Sequence, residues 1–290
     1  MRDLATVYRN FDQETLDREY NARDTVPELD PFIGEYARLS AEARENLDCH
    51  LDISFGLGVE ETLDIFPAGQ KSSVFVFIHG GYWRMLSKKE SSFMASNFVS
   101  QGVATVAVNY TLRPHATLDE IVAEVRRCIA WLYQNGSDYG VDPNRIYVGG
   151  SSAGGHLTGV VVADGWQEEF GVPADVVKGG VMLSGLMDME PVQLCFVNDW
   201  LNADKAMAAR NSPQNFIPEN GCPLVISYGG LETNEFKRQS EDFATAWRAK
   251  GGSADCFETS HCHHFDIPLE LCQPESVLAA KVFDMIRQTA

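Results

Sequence analysis

The feature that most constrains this chain is a series of short, unbroken apolar runs separated by amphipathic stretches. Ser73-Val-Phe-Val-Phe-Ile78 and Val103 to Val108 have strand length and no polar alternation, the pattern of strands buried on both faces. Further strands are expected at Arg145 to Val148, Val176 to Leu183, Pro223 to Tyr228 and Ala254 to Glu258. Helical periodicity falls between them, at 88–101, 118–133, 152–163, 235–250 and 275–287. Buried strands alternating with helices predict an α/β fold, a parallel sheet covered on both faces.

Two flanking regions depart from this rhythm. Residues 1–47 read as a polar helical leader, with Phe11, Leu16 and Tyr20 at helical spacing and Pro27 and Pro31 as breaks. Cys49 to Phe55 and Glu60 to Phe66 then alternate as two strands around Gly56-Leu57-Gly58. The section 185–221, rich in Met, Asn and Pro, fits no repeat and is expected to be a short lid insertion. No linker or repeat divides the chain, so a single domain over residues 1–290 is expected.

Composition narrows the function classes. The chain has 41 acidic and 23 basic side chains, a formal charge of −18, which disfavours a broad nucleic-acid-binding face. No apolar stretch approaches the roughly 20 residues of a membrane-spanning helix, and Met1 to Asn10 lacks a signal-peptide core. The seven cysteines, Cys49, Cys128, Cys195, Cys222, Cys256, Cys262 and Cys272, are odd in number and scattered, as expected of a reduced cytoplasmic protein. Acidity favours solubility, and a homo-oligomer is compatible with it.

Chemistry concentrates in Gly149-Gly-Ser-Ser-Ala-Gly-Gly-His156. Its G-x-S-x-G core, Gly150, Ser152 and Gly154, lies between a strand and a helix. A serine on such a turn is held in a strained backbone with Oγ exposed, and neighbouring glycines avoid the clash of a Cβ. A phosphate-binding loop is the competing reading, but the spacing differs from G-x-x-x-x-G-K-[ST] and no lysine follows. The second signal is His79-Gly-Gly-Tyr-Trp83, at the end of the buried strand 73–78. Acyl transfer needs backbone N–H donors aimed at the developing oxyanion, and a loop in this position supplies them. The expected donors are Gly81 and Tyr82, with Ala153 opposite. His79 reads as a brace of that loop, and His156 as a packing histidine. His50 and His115 carry no signal.

HGGYW followed by GGSSAGGH resembles the α/β-hydrolase superfamily, in particular its kynurenine formamidase (arylformamidase) branch and bacterial esterase relatives. The likeness runs from about residue 49 onward, and Tyr20-Asn21 resembles the leader of bacterial members. It implies an α/β-hydrolase fold: a mostly parallel central sheet of about eight strands, helices on both faces and a small lid. It also implies an acid and then a histidine on later loops. The string Glu235-Phe-Lys-Arg-Gln-Ser240 matches the family's E-F-x-R-Q-S and puts Glu232 on the acid position, where aspartate is commoner. Asp188, after the strand ending near Leu183, is the rival acid. His264-Phe265-Asp266 matches the family's H-F-[DNS], making His264 the general base.

Three histidines and Cys262 in Ser260 to Asp266 raise the alternative of a metal site. His263 and His264 are adjacent and diverge, and no second ligand cluster accompanies them. His261 and His263 are therefore expected at the pocket rim, and neither metal nor organic cofactor is expected. Tyr82, Trp83, Phe196 and Trp200 are candidate substrate-binding aromatics, with lid packing as the alternative. The sequence thus predicts a serine hydrolase of a small ester or amide, with catalytic Ser152, Glu232 and His264. The competing readings are a general carboxylesterase and a non-catalytic binding module. The latter is expected to lack a triad member, and here all three are present.

Overall fold

The computed structural model describes residues 6–289; the first five residues of the leader and Ala290 lie outside the described residues. Eight strands form one sheet: β1 (His50–Ser54), β2 (Thr62–Phe66), β3 (Ser72–Ile78), β4 (Val103–Val108), β5 (Val141–Ser151), β6 (Val177–Leu183), β7 (Leu224–Gly229) and β8 (Ala254–Thr259). Their spatial order is β1-β2-β4-β3-β5-β6-β7-β8. The β1–β2 and β2–β4 pairs are antiparallel and all later pairs are parallel.

β3 shows why the apolar runs require this arrangement. Side chains alternate across a strand, so Val74, Val76 and Ile78 enter one core layer and Phe75 and Phe77 the other. The first layer meets the helices Leu118–Asn135, Ala153–Val162 and Asn234–Ala249. The second meets Ala95–Ser100 and Val277–Gln288, where Phe98 stacks on Phe75 at 4.6 Å and contacts Phe283 at 4.8 Å. Each buried large side chain stabilises the fold by about 1.5–3 kcal/mol. The helix Leu118–Asn135 starts on a capping box in which the Thr117 hydroxyl and Glu120 carboxylate satisfy each other's backbone N–H.

Three expectations need correction. The helix expected over 88–101 is a short 3-10 turn, Lys88–Glu90, and a separate helix, Ala95–Ser100. The break falls at Ser91 and Ser92: the Ser91 hydroxyl donates to Ser87 O, and the Ser92 N–H donates to the Ser40 hydroxyl. Pro31 does not break the leader; it opens the helix Asp30–Asn46 in its first turn, where no N–H is needed. The strand expected at 145–148 extends over Val141–Ser151. The rest of the leader comprises the helix Gln13–Tyr20 and a 3-10 turn, Ala22–Thr25. The section 185–221 forms the helices Glu190–Leu194, Asn198–Leu201 and Lys205–Arg210 and a 3-10 turn, Pro213–Phe216. Among the described residues, no helix is long and apolar enough to cross a membrane. All seven cysteines are free thiols.

Candidate active site

The carboxyl ends of β3, β5, β7 and β8 converge, and the loops that leave them build the site, as is usual for open parallel sheets. Ser152 lies between β5 and the helix Ala153–Val162, with φ +57° and ψ −119°. That conformation costs an L-residue roughly 1–3 kcal/mol. Its surroundings enforce it: the Ser152 N–H donates to Leu183 O at 2.8 Å, and its carbonyl accepts from His156 N at 3.0 Å. The flanking glycines are required by close approach. A Cβ on Gly154 would lie 2.0 Å from Ile78 O, and one on Gly150 would lie 2.4 Å from Gly154 O.

His264 follows β8 and Glu232 follows β7. The His264 Nδ1–H donates to Glu232 Oε2 at 2.7 Å, and both residues are buried. Because Nδ1 carries this proton, the lone pair of the neutral ring is on Nε2. The other Glu232 oxygen accepts from the Gly229 N–H at 2.6 Å and the Ser184 hydroxyl at 2.5 Å. Three donors thus hold a carboxylate that is nearly out of water. Phe236 and Phe265 pack against the imidazole, with ring centroids 4.5 and 5.2 Å away. Asp188 is engaged elsewhere: its carboxylate accepts from Tyr8 Oη at 3.1 Å and from the Glu190 N–H at 3.0 Å.

The His79 to Trp83 loop runs beside the serine turn. A Cβ on Gly80 would stand 2.8 Å from Ser151 O and 3.4 Å from Ser152 Cβ. Gly81, Tyr82 and Trp83 all have positive φ, at +94°, +49° and +58°. The Gly81 carbonyl accepts from the N–H of Arg84 at 3.0 Å and of Met85 at 3.1 Å. Among the described residues, the N–H groups of Gly81, Tyr82 and Ala153 meet no protein acceptor. His79 braces the loop, its Nδ1–H donating to Gly80 O at 2.9 Å while its ring stacks on Tyr110 at 4.1 Å. Burial drops its pKa to about 4, so the ring is neutral.

Ser152, His264 and this loop line one cavity of about 410 Å³. Tyr82, Phe196 and Trp200 lie on its wall, and the leader contributes Leu29, Ile33 and Tyr36. The Arg84 guanidinium covers the Trp200 ring at 3.8 Å. Trp83, expected with these aromatics, is not among them. It is fully buried, edge-on to His156 at 5.2 Å, because adjacent side chains on this turn diverge and Trp83 takes the core side.

The remaining histidines lie apart from the cavity. His156 is buried with Nε2–H donating to Asn211 O at 2.7 Å, and burial lowers its pKa to about 4. His261 and His263 do not form the expected rim: neither lines the cavity. His261 is exposed and within 3.3 Å of Glu270, and His263 lies 3.3 Å from Asp266 with Phe32 edge-on at 4.5 Å. The ligating atoms of His261, Cys262 and Glu270 come within 4.8 Å of one another, the one such group among the described residues. His50 packs against Tyr139 at 5.1 Å.

Ser184 carries no sequence motif; the structure gives it a positive φ of +50° and directs its hydroxyl to Glu232. The matching string after Glu232 also acquires a physical account. Glu235 is buried in a two-bond pair with Arg238 at 2.7 Å and accepts from Tyr20 Oη at 2.8 Å. Gln239 donates to that same Tyr20 oxygen at 2.8 Å and to Asp188 O at 3.0 Å. The string fastens the leader to the rest of the fold.

Comparison with known proteins agrees with this architecture. The BD-FAE family profile matches residues 63–247. A kynurenine formamidase of Danio rerio is 28% identical over 293 residues, covering 96% of this chain and 98% of its own length. Esterase LipQ of Mycobacterium tuberculosis is 26% identical over 241 residues, 74% of this chain and 57% of that protein. A crystal structure from Silicibacter sp. tm1040 superposes with a TM-score of 0.79 at 27% identity, covering 91% of this chain and 97% of the other. The chain therefore belongs to the BD-FAE family of the α/β-hydrolases, with kynurenine formamidase and bacterial esterase relatives.

Proposed function

We propose that this protein is a serine hydrolase that cleaves a small carboxylic ester or amide, arylformamidase-like in kind, through an acyl-enzyme on Ser152. The observation that carries the reading is the buried His264–Glu232 hydrogen bond, 2.7 Å long, on a cavity that the strained Ser152 also lines.

The chemistry follows from proton positions. His264 Nε2 takes the Ser152 Oγ proton as Oγ bonds to the substrate carbonyl carbon, and the carbonyl electron pair moves onto oxygen. Glu232 keeps the proton of His264 on Nδ1 and stabilises the imidazolium that forms. The N–H groups of Gly81, Tyr82 and Ala153 receive the oxyanion, assisted by the N-terminus of the helix behind Ser152. Collapse breaks the bond to the alcohol or amine, which leaves with the proton from His264. Water then attacks the acyl-enzyme by the same steps and releases the acid. These steps use side chains and backbone alone, so a chelator is expected to leave activity intact.

Tyr82, Phe196 and Trp200 supply an aromatic wall for a ring-bearing substrate. A general carboxylesterase without formamidase activity is the second reading, favoured by a cavity of about 410 Å³, roomier than a formyl group needs. The test is covalent labelling by a sulfonyl fluoride, followed by assays on formanilides, N-formylkynurenine and p-nitrophenyl esters. Labelling at Ser152 with formamide turnover is expected. Esters cleaved without formamide turnover would leave only the second reading, and an unlabelled Ser152 in the folded protein would overturn both.

A further inference from the structure

The helix Gln13–Tyr20 ends beside the site, and its last carbonyls have no partner within the helix. Two of them accept from hydroxyls of the site loops. Tyr82 Oη donates to Tyr20 O at 2.6 Å, and Thr233 Oγ1 donates to Glu19 O at 2.5 Å. Tyr82 belongs to the loop after β3, and Thr233 immediately follows Glu232. A two-residue segment of the leader is therefore bonded to the loop that carries the oxyanion donors and to the loop that carries the acid.

The segment is itself fixed. Tyr20 is fully buried, its hydroxyl donates to Glu235 and accepts from Gln239, and its ring lies 6.1 Å from Phe236. Phe236 in turn packs on the His264 ring at 4.5 Å. The segment thus holds both loops from a rigid anchor. Without it, the positive-φ run at Tyr82 and Trp83 would lose the hydrogen bond from the Tyr82 ring to the leader.

We infer that Glu19–Tyr20 is a positioning brace, acting through Tyr82 on the Gly81 and Tyr82 N–H groups and through Thr233 on Glu232. The inference rests on the serine-hydrolase reading above. Its consequence is kinetic. Donor placement matters most in the transition state, so severing the brace lowers kcat while leaving ground-state binding nearly unchanged.

The test uses the full chain and p-nitrophenyl acetate. Tyr82→Phe and Thr233→Val each remove one hydroxyl donor and are expected to lower kcat about tenfold with KM within about twofold, the scale of a sub-ångström misplacement. Thr233→Ser is expected to restore near-normal kcat. Melting temperatures separate misfolding from mispositioning; if Thr233→Val does not fold, the kcat-against-KM split of Tyr82→Phe decides. Unchanged kcat or a loss confined to KM would overturn the brace. Ser152→Ala is run alongside. If it keeps full activity, the serine reading has failed, whereas an inactive Ser152→Ala beside a normal Tyr82→Phe rejects the brace alone.

Discussion

Glu232, not Asp188, is the carboxylate hydrogen-bonded to the His264 imidazole, at 2.7 Å through Nδ1. Glu232→Gln can present an amide N–H to Nδ1 and favours the wrong tautomer; about a 10⁴-fold loss of kcat is expected. Asp188→Asn alters a side chain bonded to Tyr8 and the Glu190 N–H and is expected to stay within about threefold of wild type. Steady-state kinetics on the two variants check this, and a reversed ranking would return the acid role to Asp188.

The serine turn tolerates no extra atom at Gly154, where a Cβ would meet Ile78 O at 2.0 Å. Gly154→Ala is expected to cost about 3 kcal/mol or more, since overpacking against backbone has no flexible end to yield. Gly34 supplies the contrast: it is inside the helix Asp30–Asn46, and a Cβ there meets nothing within 4 Å. Gly34→Ala is expected to stabilise by about 0.5–1 kcal/mol through helix propensity. Urea unfolding of both variants measures the two signs.

Trp83 and Phe196 separate packing from binding. Trp83 is wholly buried, whereas Phe196 lines the cavity. Trp83→Ala is expected to destabilise by about 3–5 kcal/mol. Phe196→Ala, at a half-buried side chain on the core's edge, is expected to cost less stability than Trp83→Ala and to raise KM for aryl esters up to about tenfold, the worth of one aromatic contact. Equal effects of the two on KM would contradict the geometry.

Acid should destabilise the fold through two fully buried histidines, His79 and His156. Burial holds both His79 and His156 at about 4, against 6.5 in an unfolded chain. Between those values the unfolded state binds more protons, so their contribution is complete above about pH 6.5 and is lost as pH falls toward 4. At pH 5 the loss is about 2 kcal/mol for each. His156→Gln removes one titrating group, so its unfolding free energy should fall less than wild type's between pH 7.5 and 5. Parallel pH dependences would refute the assignment.

Residue order alone determined a great deal here. Apolar runs such as 73–78 can be buried on both faces only in a covered sheet, and G-x-S-x-G demands a strand-to-helix turn because only glycines permit that approach. Those are local requirements, and local chemistry is legible in a sequence. The acid was not local: Glu232 and Asp188 both follow strands, and only the packing of β6, β7 and β8 decides which carboxylate reaches His264. Ser184 has no motif, because its role is a hydroxyl direction set by a positive φ 48 positions before its partner. Trp83 looked equivalent to Tyr82, yet one backbone turn sends one ring to the cavity and the other to the core. The leader reads in sequence as polar helix, and the tertiary structure joins its helix end to the site because unpaired carbonyls there meet hydroxyls from distant loops. Sequence thus determined the fold and the strained serine turn, whose causes lie within a few residues. Tertiary structure decided the partners of each group, because they are brought together only when the sheet is assembled.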